Sequence, residues 1–531
     1  MLDLKIEGAT VIDGTGTSGA RADVGIRDES IVAVGDLSRE SAGNSLHASG
    51  KVLAPGFIDM HSHSDWALWG NRRAESKIRQ GVTTEVVGNC GFSPAPVSDE
   101  FLDAARQFAL RLPKALDFRW RSMRDYLRAF DGDGTAVNVV QLVGHGTLRV
   151  AVMGFDRRAP DADELRRMQK LMADAMDEGA WGMSTGLIYA PGSYATTDEI
   201  AEVGAVAARH RGFYASHIRG EGATLLDAVA EAIEIGRRNH MPVQISHIKA
   251  AGRPNWGRVA DALALIDAAA ADGLDVMADV YPYTASSTSL RTLLPDWALE
   301  GGLHAMTERL RDPATRARLR GELERPTNGQ SLPARVGWDN IMVSSCTQRP
   351  DAEGRRIAEI AAARGADPVD AAFDLLVDEG GRGSMILFQL DERDVRRALA
   401  HPRVMIGSDG YALAPTGELA GGKPHPRSYG TFPRVLGEYA REQRLLSLSQ
   451  AIHKMTGLPA QRLGLGDRGH IRIGAKADLV VFDARRVADT ATYEIPARYP
   501  EGIEHVIVNG RFVVKSGQHT GSLPGRVLTP Q

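Results

Sequence analysis

The stretch Gly56-Phe57-Ile58-Asp59-Met60-His61-Ser62-His63-Ser64-Asp65 decides how this chain is interpreted. Its apolar beginning predicts a short buried β-strand over 57–63 that ends in two histidines. Alternate side chains of a strand point to the same side, so His61 and His63 are expected to project together. Neutral imidazoles held side by side are suitable ligands for Zn²⁺ or a similar divalent ion. Two solvated loop histidines would give the same letters, so the rest of the chain has to separate the two interpretations.

The composition is that of a globular protein with one large domain and a smaller one. The chain has 531 residues, of which 43% are hydrophobic and 24% charged. Its net charge of -4 gives no indication of nucleic acid or an anionic membrane as a partner. No apolar run reaches the roughly 18 residues of a membrane span, and the first residues lack the layout of a signal peptide. With Cys90 and Cys346 as the only cysteines, we expect a reducing compartment, and therefore the cytoplasm.

The two ends of the chain share a β-rich character that the middle lacks. Short alternating segments and turn signals predict hairpins near 22–34 and 505–514. We expect the ends to pair into one small β-sandwich domain, formed by 1–54 and 415–531, with its strands mainly from 1–54 and 470–531. The larger domain, 55–414, would then be inserted between the two halves of the smaller one.

The middle of the chain alternates short apolar runs with segments of helical period, which is typical of βα units. Eight strands are predicted, at 57–63, 83–88, 137–144, 182–184, 213–217, 243–247, 276–281 and 404–409. Eight such repeats predict an α/β fold, a closed (β/α)₈ TIM-like barrel. The span 284–384 is too long for one connection, and its loop-rich part, about 286–345, is predicted to be a lid insertion after strand seven.

Several residues with metal-binding chemistry fall at the predicted carboxyl ends of these strands, where barrel enzymes place their active sites. They are His61 and His63 after strand one, Cys90 past strand two, His217 after strand five, His247 after strand six and Asp409 after strand eight. A single buried histidine is more often structural, and a lone cysteine is often a small apolar core residue. Five strands that deliver four histidines, a cysteine and an aspartate to one face predict a metal site.

This ordered set resembles the amidohydrolase superfamily, and more narrowly its D-aminoacylase branch, the N-acyl-D-amino-acid deacylases. The narrower resemblance is carried by the segments Thr83–Gly91, Tyr214–Gly222, Gln244–Lys249, Asp279–Tyr283 and Ile406–Gly410. It extends over essentially the whole chain. It implies hydrolysis of the amide of a small N-acyl-D-amino acid, by a zinc-dependent enzyme, to a carboxylate and a free D-amino acid.

One departure from the broad superfamily concerns the metal ligands. Many dinuclear relatives bridge two metals with a carboxylated lysine at the end of strand four, where this chain has Gly182-Met183-Ser184-Thr185. The D-aminoacylase branch implies that Cys90 takes the bridging place, and a thiolate is a strong ligand for Zn²⁺. We expect one tight zinc site and a neighbouring weaker one that shares Cys90. The tight site would be Cys90, His217 and His247, and the weaker one His61, His63 and Asp409.

A metal with three protein ligands keeps an open position for water, and zinc lowers the pKa of that water to about 7. Amide hydrolysis also needs a base for the water and an acid for the departing nitrogen. Asp409 is the only carboxylate that ends a strand in this set, so we expect it to perform both proton transfers. A helix N-cap before Gly410 is the structural alternative.

The α-carboxylate of the substrate calls for cationic and hydroxyl side chains near the metal. Candidates follow strands four to seven: Tyr189, Arg219, Lys249, Tyr283, Ser287 and Arg291. By resemblance Lys249, Tyr283 and Arg291 are the stronger ones, although each is also compatible with a surface charge or a core hydroxyl. His145 at the end of strand three is a further candidate that a structural role would explain as well.

Two other functions are compatible with parts of the pattern. A cyclic amidase of the hydantoinase or dihydroorotase type is disfavoured by the missing strand-four lysine and by Asn89-Cys90-Gly91. A non-catalytic scaffold is disfavoured by the complete set of six metal-binding residues. The sequence does not distinguish among neutral, acidic and aromatic side chains of the substrate. It does not indicate an oligomeric state either.

Overall fold

The computed structural model describes residues 1–109, 116, 118–130, 132–325 and 331–530. Eight parallel strands follow one another around a barrel, and each pairs with its neighbours in the chain. Their bounds are Phe57–Asp59, Val82–Val87, Asn138–Gln141 continued by Val143–Gly144, Gly182–Gly186, Phe213–His217, Val243–Ile245, Val276–Val280 and Val404–Ile406. The (β/α)₈ barrel predicted from the sequence is confirmed.

The barrel closes between its eighth and first strands through the residues just past their ends. The backbone N–H of Asp409 donates to the carbonyl of His61 at 2.7 Å, and Ser62 forms a parallel bridge with Gly410. The first strand is shorter than predicted, because it ends at Asp59, and the two histidines lie in the next segment of the chain. Closure of the barrel therefore places His61 directly beside Asp409.

Helices between the strands cover the outside of the barrel. Their bounds are Ala67–Gly70, Glu75–Ile78, Leu102–Phe108, Met123–Arg128, His145–Met153, Ala162–Asp177, Thr197–Arg209, Leu225–Asn239, Val259–Ala271 and Glu392–Ala400. Ala162–Asp177 begins at a capping box of Asp161 and Glu164, and buries Met168, Met172 and Met176, which are spaced one turn apart. Among the described residues, no helix is both long and apolar enough to cross a membrane.

The barrel interior is apolar at one end and polar at the other. Phe213, Ala215 and His217 alternate along the fifth strand, so all three face inward, and only the last lies at the carboxyl end. At the opposite end the Trp181 indole N–H donates to the carbonyl of Leu528 at 2.7 Å, which ties the C-terminal segment across the barrel. The polar site is thus supported from below by a packed core.

The terminal strands form one hydrogen-bonded nine-stranded sheet. Val52–Pro55 pairs with Leu479–Phe482, so both chain ends contribute to the same sheet, as predicted. The sheet branches at Leu2–Val11, whose first half pairs with Ala42–His47 and whose last residues pair with Val52–Pro55. Its other strands are Ala20–Arg27, Ser30–Gly35, Ile503–Val508, Arg511–Lys515 and Gln518–His519.

The helices between Asp409 and the terminal strands are Arg427–Arg434, continued by a π-helix over Val435–Glu442, Leu448–Met455 and Gly457–Arg462. Leu448–Met455 packs on the barrel strands Phe57–Asp59 and Val404–Ile406, and Gly457–Arg462 packs on the first of these. Because these helices cover the barrel, we propose that the small domain resumes near residue 465 instead of 415.

The predicted insertion after strand seven is present, but it is a folded unit with its own core and is not loop-rich as expected. Ser384–Phe388 pairs antiparallel with both Ala285–Ser289 and Ile341–Ser345, so the insertion extends to 388 and not to 345. Its helices are Gly302–Arg311, Pro313–Glu324, Leu332–Val336, Ile357–Arg364 and Pro368–Asp378. Leu310, Phe373 and Leu376 lie in a shared apolar cluster of this unit. Residues 326–330 of the predicted lid lie outside the described part of the chain.

A fully buried ion network lies under the carboxyl ends of the strands. Lys77 Nζ lies 2.7 Å from Asp59 Oδ2, 2.6 Å from Ser408 Oγ and 3.5 Å from Glu85 Oε2. Burial raises the pKa of Glu85 against the opposing attraction of Lys77. The lysine therefore joins the first, second and eighth strands, and it is the cation that compensates their buried acids.

We predict that Lys77→Met lowers the free energy of unfolding by about 3–5 kcal/mol, because it leaves buried carboxylates without their cation. Lys170→Met is the matched control, since Lys170 is exposed and pairs with Asp174 within one helix. Denaturant unfolding followed by circular dichroism measures both. Equal stability of the two variants would contradict a structural role for the buried network.

Candidate metal centre and active site

Cys90 lies among three imidazoles at the carboxyl ends of the strands. Its Sγ is 3.3 Å from His61 Nε2, 3.5 Å from His217 Nδ1 and 3.4 Å from His247 Nε2, and all four side chains are buried. Tetrahedral zinc, with bonds of about 2.0–2.3 Å, holds its ligand atoms roughly 3.3–3.7 Å apart. The distances from Sγ fall in this range, and Cys90, His61 and His247 have ligand atoms that all lie within 4.8 Å of one another. His61, expected only in the second group, is as close to Cys90 as the other two histidines.

A second group of possible ligands adjoins the first on the side of the cavity. Asp409 Oδ1 is 3.0 Å from His63 Nε2 and 3.7 Å from His61 Nε2. Its other oxygen, Oδ2, is 2.9 Å from Arg427 Nη1. Although burial opposes ionisation, the Arg427 guanidinium holds the pKa of Asp409 well below its usual range. Asp409 is therefore a carboxylate that can accept a proton or bind a cation.

Burial sets the protonation states of most of the other candidate ligands; His61 is the exception, because although burial opposes this, Asp279 raises its pKa. Burial lowers the pKa of His217 and of His247, and it lowers the pKa of His63 to about 4, so these imidazoles are neutral, as metal ligation requires. Burial raises the pKa of the Cys90 thiol well above its usual range. A thiolate at this position therefore needs a cation beside it.

Unusual backbone conformations aim three of these side chains. Cys90, His247 and Asp409 have φ values of +54°, +35° and +50°, which non-glycine residues rarely adopt. Val243 and Ile245 face the outer helices, and regular alternation would put His247 on that side too. The positive φ ends the alternation and turns the imidazole toward Cys90. Close packing matters as well, since a Cβ on Gly186 would lie 2.0 Å from the carbonyl oxygen of Cys90.

Asp279, at the end of the seventh strand, orients two of the histidines. Its Oδ1 is 3.3 Å from His61 Nδ1 and accepts the backbone N–H of His247 at 2.8 Å, while Oδ2 accepts from the Gln244 amide at 2.9 Å. A carboxylate on the outer nitrogen of an imidazole fixes the ring and its tautomer. Asp279 stands in a motif of the family resemblance, but its role was not identifiable from the sequence.

Glu221 lies on the other side of the cluster, where Lys249 Nζ is also 2.7 Å from His247 Nδ1. The Glu221 Oε1 is 3.5 Å from His217 Nε2, 3.3 Å from His247 Nδ1 and 2.5 Å from Lys249 Nζ. Burial favours the protonated form of Glu221, but the charge of Lys249 holds the pKa of Glu221 well below its usual range. The only sequence signal for Glu221 is its place four residues after His217, within a motif of the resemblance.

A cavity of about 670 Å³ opens onto the second group of ligands. His63 and Asp409 line it, together with Tyr189, Ser287 and Arg291 among the predicted substrate contacts. Much of its wall comes from the inserted unit, which contributes residues of Ala285–Ser289 and Ile341–Ser345. The inserted unit therefore encloses the space in front of the candidate metal centre.

Tyr281 lies between two cations beside this centre. The Arg427 guanidinium is 4.8 Å and Lys249 Nζ 5.6 Å from the centre of its ring. Its buried hydroxyl has no hydrogen-bond partner in the described part of the chain. Lys249 and Arg427 thus flank Tyr281, and Arg427 also contacts Asp409. Tyr281 and Arg427 were missed by the sequence analysis.

Two predicted substrate contacts are corrected by the structure. The Tyr283 hydroxyl donates to Asp489 Oδ2 at 2.8 Å, which occupies it. Arg219 pairs with Glu231 at 2.9 Å and donates to the carbonyl of Ala195 at 2.9 Å, so its guanidinium is satisfied by protein groups. Neither residue lines the 670 Å³ cavity, although Lys249 and Tyr281 do not line it either. His145 lies 3.2 Å from Glu199 in a buried network with Arg149, which agrees with a structural role for this histidine.

A closed barrel with buried metal-binding side chains at the carboxyl ends of its strands is the arrangement of metal-dependent hydrolases. The family model for the amidohydrolase family matches residues 46–514. The chain belongs to this amidohydrolase family and, as its sequence motifs imply, to the D-aminoacylase branch. The family resemblance found in the sequence is thereby confirmed.

Individual relatives cover nearly the whole chain. A D-aminoacylase of Alcaligenes xylosoxydans xylosoxydans is 42% identical over 99% of this chain and 97% of its own. An N-acyl-D-glutamate deacylase of the same organism is 41% identical over 99% and 96%. The crystal structure of the N-acyl-D-glutamate deacylase from Bordetella bronchiseptica, complexed with zinc and a phosphonate inhibitor, superposes with a TM-score of 0.83 at 37% identity, with both chains fully covered.

We predict that Cys90→Ala abolishes stoichiometric binding of zinc and, with it, catalytic activity. The thiolate is close to all three imidazoles, so its loss removes both a ligand and a compensating charge. Cys346→Ala is the matched control, because Cys346 is buried in the inserted unit. Elemental analysis after dialysis measures the metal, and full zinc occupancy in Cys90→Ala would refute the assignment.

Proposed function

We propose that the chain is a zinc-dependent deacylase that hydrolyses the amide of N-acyl-D-amino acids, giving a carboxylate and a free D-amino acid. The observation that carries the proposal is Cys90 among three imidazole nitrogens, with an Arg427-paired Asp409 at the edge of the substrate cavity. The named relatives act on N-acyl-D-amino acids, which supports both the reaction and the D configuration.

We further propose that zinc is held at a tight site by Cys90, His217 and His247. His61, His63 and Asp409, with Cys90 shared, would line a second and weaker site. Zinc bound by these residues supplies a Lewis acid that polarises the amide carbonyl and lowers the pKa of the attacking water. Asp279 and Glu221 keep the imidazoles aimed at the thiolate, because each holds the outer nitrogen of at least one ring.

Asp409 moves the protons of the reaction. It accepts a proton from water on Oδ1, the oxygen nearer His63, and passes it to the departing amide nitrogen. Arg427 holds Oδ2, so that the carboxylate cannot rotate away and stays ionised between turnovers. The balance is one amide and one water converted into one carboxylate and one amine.

Lys249, Tyr281 and Arg427 recognise the α-carboxylate of the substrate. Arg427 contacts Asp409, and Lys249 and Arg427 flank the Tyr281 ring. The Tyr281 hydroxyl lacks a partner within the described chain, which makes it available to an anion. Two cations around one tyrosine provide the charge-assisted donors that a carboxylate needs. Tyr189 and Ser287, on the cavity wall, are proposed to contact the rest of the substrate.

We also propose that the enzyme works in the cytoplasm on a small molecule and not on nucleic acid or a membrane. Both cysteines are free and buried, as suits a reducing compartment. The nearly balanced charge of the chain supports the choice of partner.

We predict that Asp409→Asn lowers kcat by about 10²–10⁴-fold or more, because the amide cannot accept the proton from water. The tight zinc and the fold should remain, since Cys90, His217 and His247 are unchanged. Asp163→Asn, exposed on an outer helix, is the control. Steady-state kinetics on N-acetyl-D-methionine, with zinc analysis and a thermal melt, measure the effects. Wild-type kcat in folded Asp409→Asn would exclude the role.

We predict that Tyr281→Phe weakens the discrimination between an N-acyl-D-amino acid and its α-amide by about tenfold or more, since a hydrogen bond to a charged group is lost. The matched control is Tyr283→Phe, whose hydroxyl is engaged with Asp489. The ratio of kcat/KM for the two substrates is compared among wild type and variants. If Tyr283→Phe changes the ratio more than Tyr281→Phe, the assignment of the carboxylate to Tyr281 is wrong.

A further inference from the structure

Two arginines of the inserted unit face each other across its sheet. Ser289 pairs with Ser384 in the antiparallel register of Ala285–Ser289 and Ser384–Phe388. Arg291 stands two residues past the first of these serines, and Arg382 stands two residues before the second. Both arginines line the 670 Å³ cavity that opens onto Asp409. The strand register therefore brings two guanidinium groups to one part of the cavity wall.

Neither guanidinium forms an ion pair with a carboxylate of the described residues. The Arg382 side chain donates to the carbonyl of Arg106 at 3.3 Å, which leaves most of its donors unused. Burial and the nearby charge of Arg382 lower the pKa of Arg291 to about 10. Among the described residues, the acids that line the cavity are Asp409, which is engaged by Arg427, Glu353, which accepts the backbone N–H of Cys346 at 2.9 Å, and Glu418. Two like charges on one part of the wall, neither of them in an ion pair with a described carboxylate, favour the binding of an anion.

The position of Arg291 relates this anion to the amino-acid half of the substrate. Arg291 and Arg427 are both within electrostatic range of Tyr189 and Tyr411, so the two arginines flank the same aromatic pair. Under the proposed function, Arg427 binds the α-carboxylate. An anionic group held by Arg291 then belongs to the side chain attached to the same α-carbon, and not to the acyl group.

We infer that Arg291 and Arg382 bind a second carboxylate, on the substrate side chain, so that the enzyme prefers N-acyl-D-amino acids with acidic side chains. This inference rests on the proposed function and extends it to the side chain. Overall similarity does not decide the matter, since the D-aminoacylase and the N-acyl-D-glutamate deacylase are 42% and 41% identical to this chain. The sequence analysis assigned Arg291 to the α-carboxylate of the substrate. Here Arg291, together with Arg382, is assigned to the carboxylate of the substrate side chain instead.

The size of the preference depends on the charge-assisted hydrogen bonds. Glutamine has nearly the same shape as glutamate but carries no charge, and it leaves two guanidinium groups facing a neutral amide. Each such hydrogen bond contributes enough to change affinity about tenfold to a hundredfold. We expect wild-type kcat/KM to be at least tenfold higher for N-acetyl-D-glutamate than for N-acetyl-D-glutamine.

The test compares these two substrates on the zinc-loaded full chain and on Arg291→Gln, Arg382→Gln and Arg311→Gln. Arg311 is the matched control, since it is an exposed arginine of the inserted unit paired with Glu308. We expect Arg291→Gln to lower the ratio of the two kcat/KM values at least tenfold, and Arg382→Gln to lower it less because Arg382 is more exposed. Arg311→Gln should leave the ratio unchanged. Zinc analysis and a thermal melt of each variant confirm metal content and folding.

The outcomes separate this inference from the proposed function. Turnover of N-acetyl-D-glutamine as fast as that of N-acetyl-D-glutamate keeps the deacylase assignment and overturns the acidic preference. No turnover of any N-acyl-D-amino acid overturns both. In a further arm, N-succinyl-D-glutamine is compared with N-acetyl-D-glutamine. The contradicting result is a succinyl group that raises the rate of the wild type but not that of Arg291→Gln. That result would place the second anion on the acyl group and refute the side-chain assignment.

Discussion

The buried thiol of Cys90 is the constraint on which the rest of this site depends. A thiolate that is excluded from water is unstable unless a cation lies beside it, and burial alone raises the pKa of this thiol well above its usual range. Three imidazole nitrogens lie at 3.3–3.5 Å from the sulfur, and burial keeps two of these rings, His217 and His247, neutral. Although burial opposes it, the Asp279 carboxylate raises the pKa of the third ring, His61. A metal ion at the centre of the cluster would stabilise the thiolate directly.

The carboxylates around the candidate metal centre are paired with cations, which reduces the repulsion between the negative charges. A Cys90 thiolate would offset one of the two charges of a zinc ion. Arg427 beside Asp409 and Lys249 beside Glu221 neutralise the carboxylates that support the ligands. Because both cations also lie near Tyr281, the groups that stabilise the ligand set are the same groups that we propose to bind a substrate carboxylate. Structural and recognition roles are thus joined in a few side chains.

Sequence reasoning identified the residues at the strand ends and failed where the chain leaves the strands. The eight barrel strands and the six candidate ligands were predictable, because apolar runs place polar ends at one face of a barrel. Tyr283 and Arg219 follow strands that end at Val280 and His217, and past a strand end the alternation of side chains no longer predicts where a side chain points. Glu221, Asp279 and Arg427 act through contacts between distant elements, which a single sequence does not reveal.

The two parts of the active site are held by different constraints. The metal ligands depend on barrel closure, since the hydrogen bond between the Asp409 N–H and the His61 carbonyl joins the last strand to the first. The arginines that face the distal part of the cavity depend on the register of a separate antiparallel sheet, with its own core. A substitution in that sheet can alter the side chain that is accepted without disturbing the barrel closure. This separation gives a physical reason why relatives of equal overall identity act on substrates as different as those of a D-aminoacylase and an N-acyl-D-glutamate deacylase.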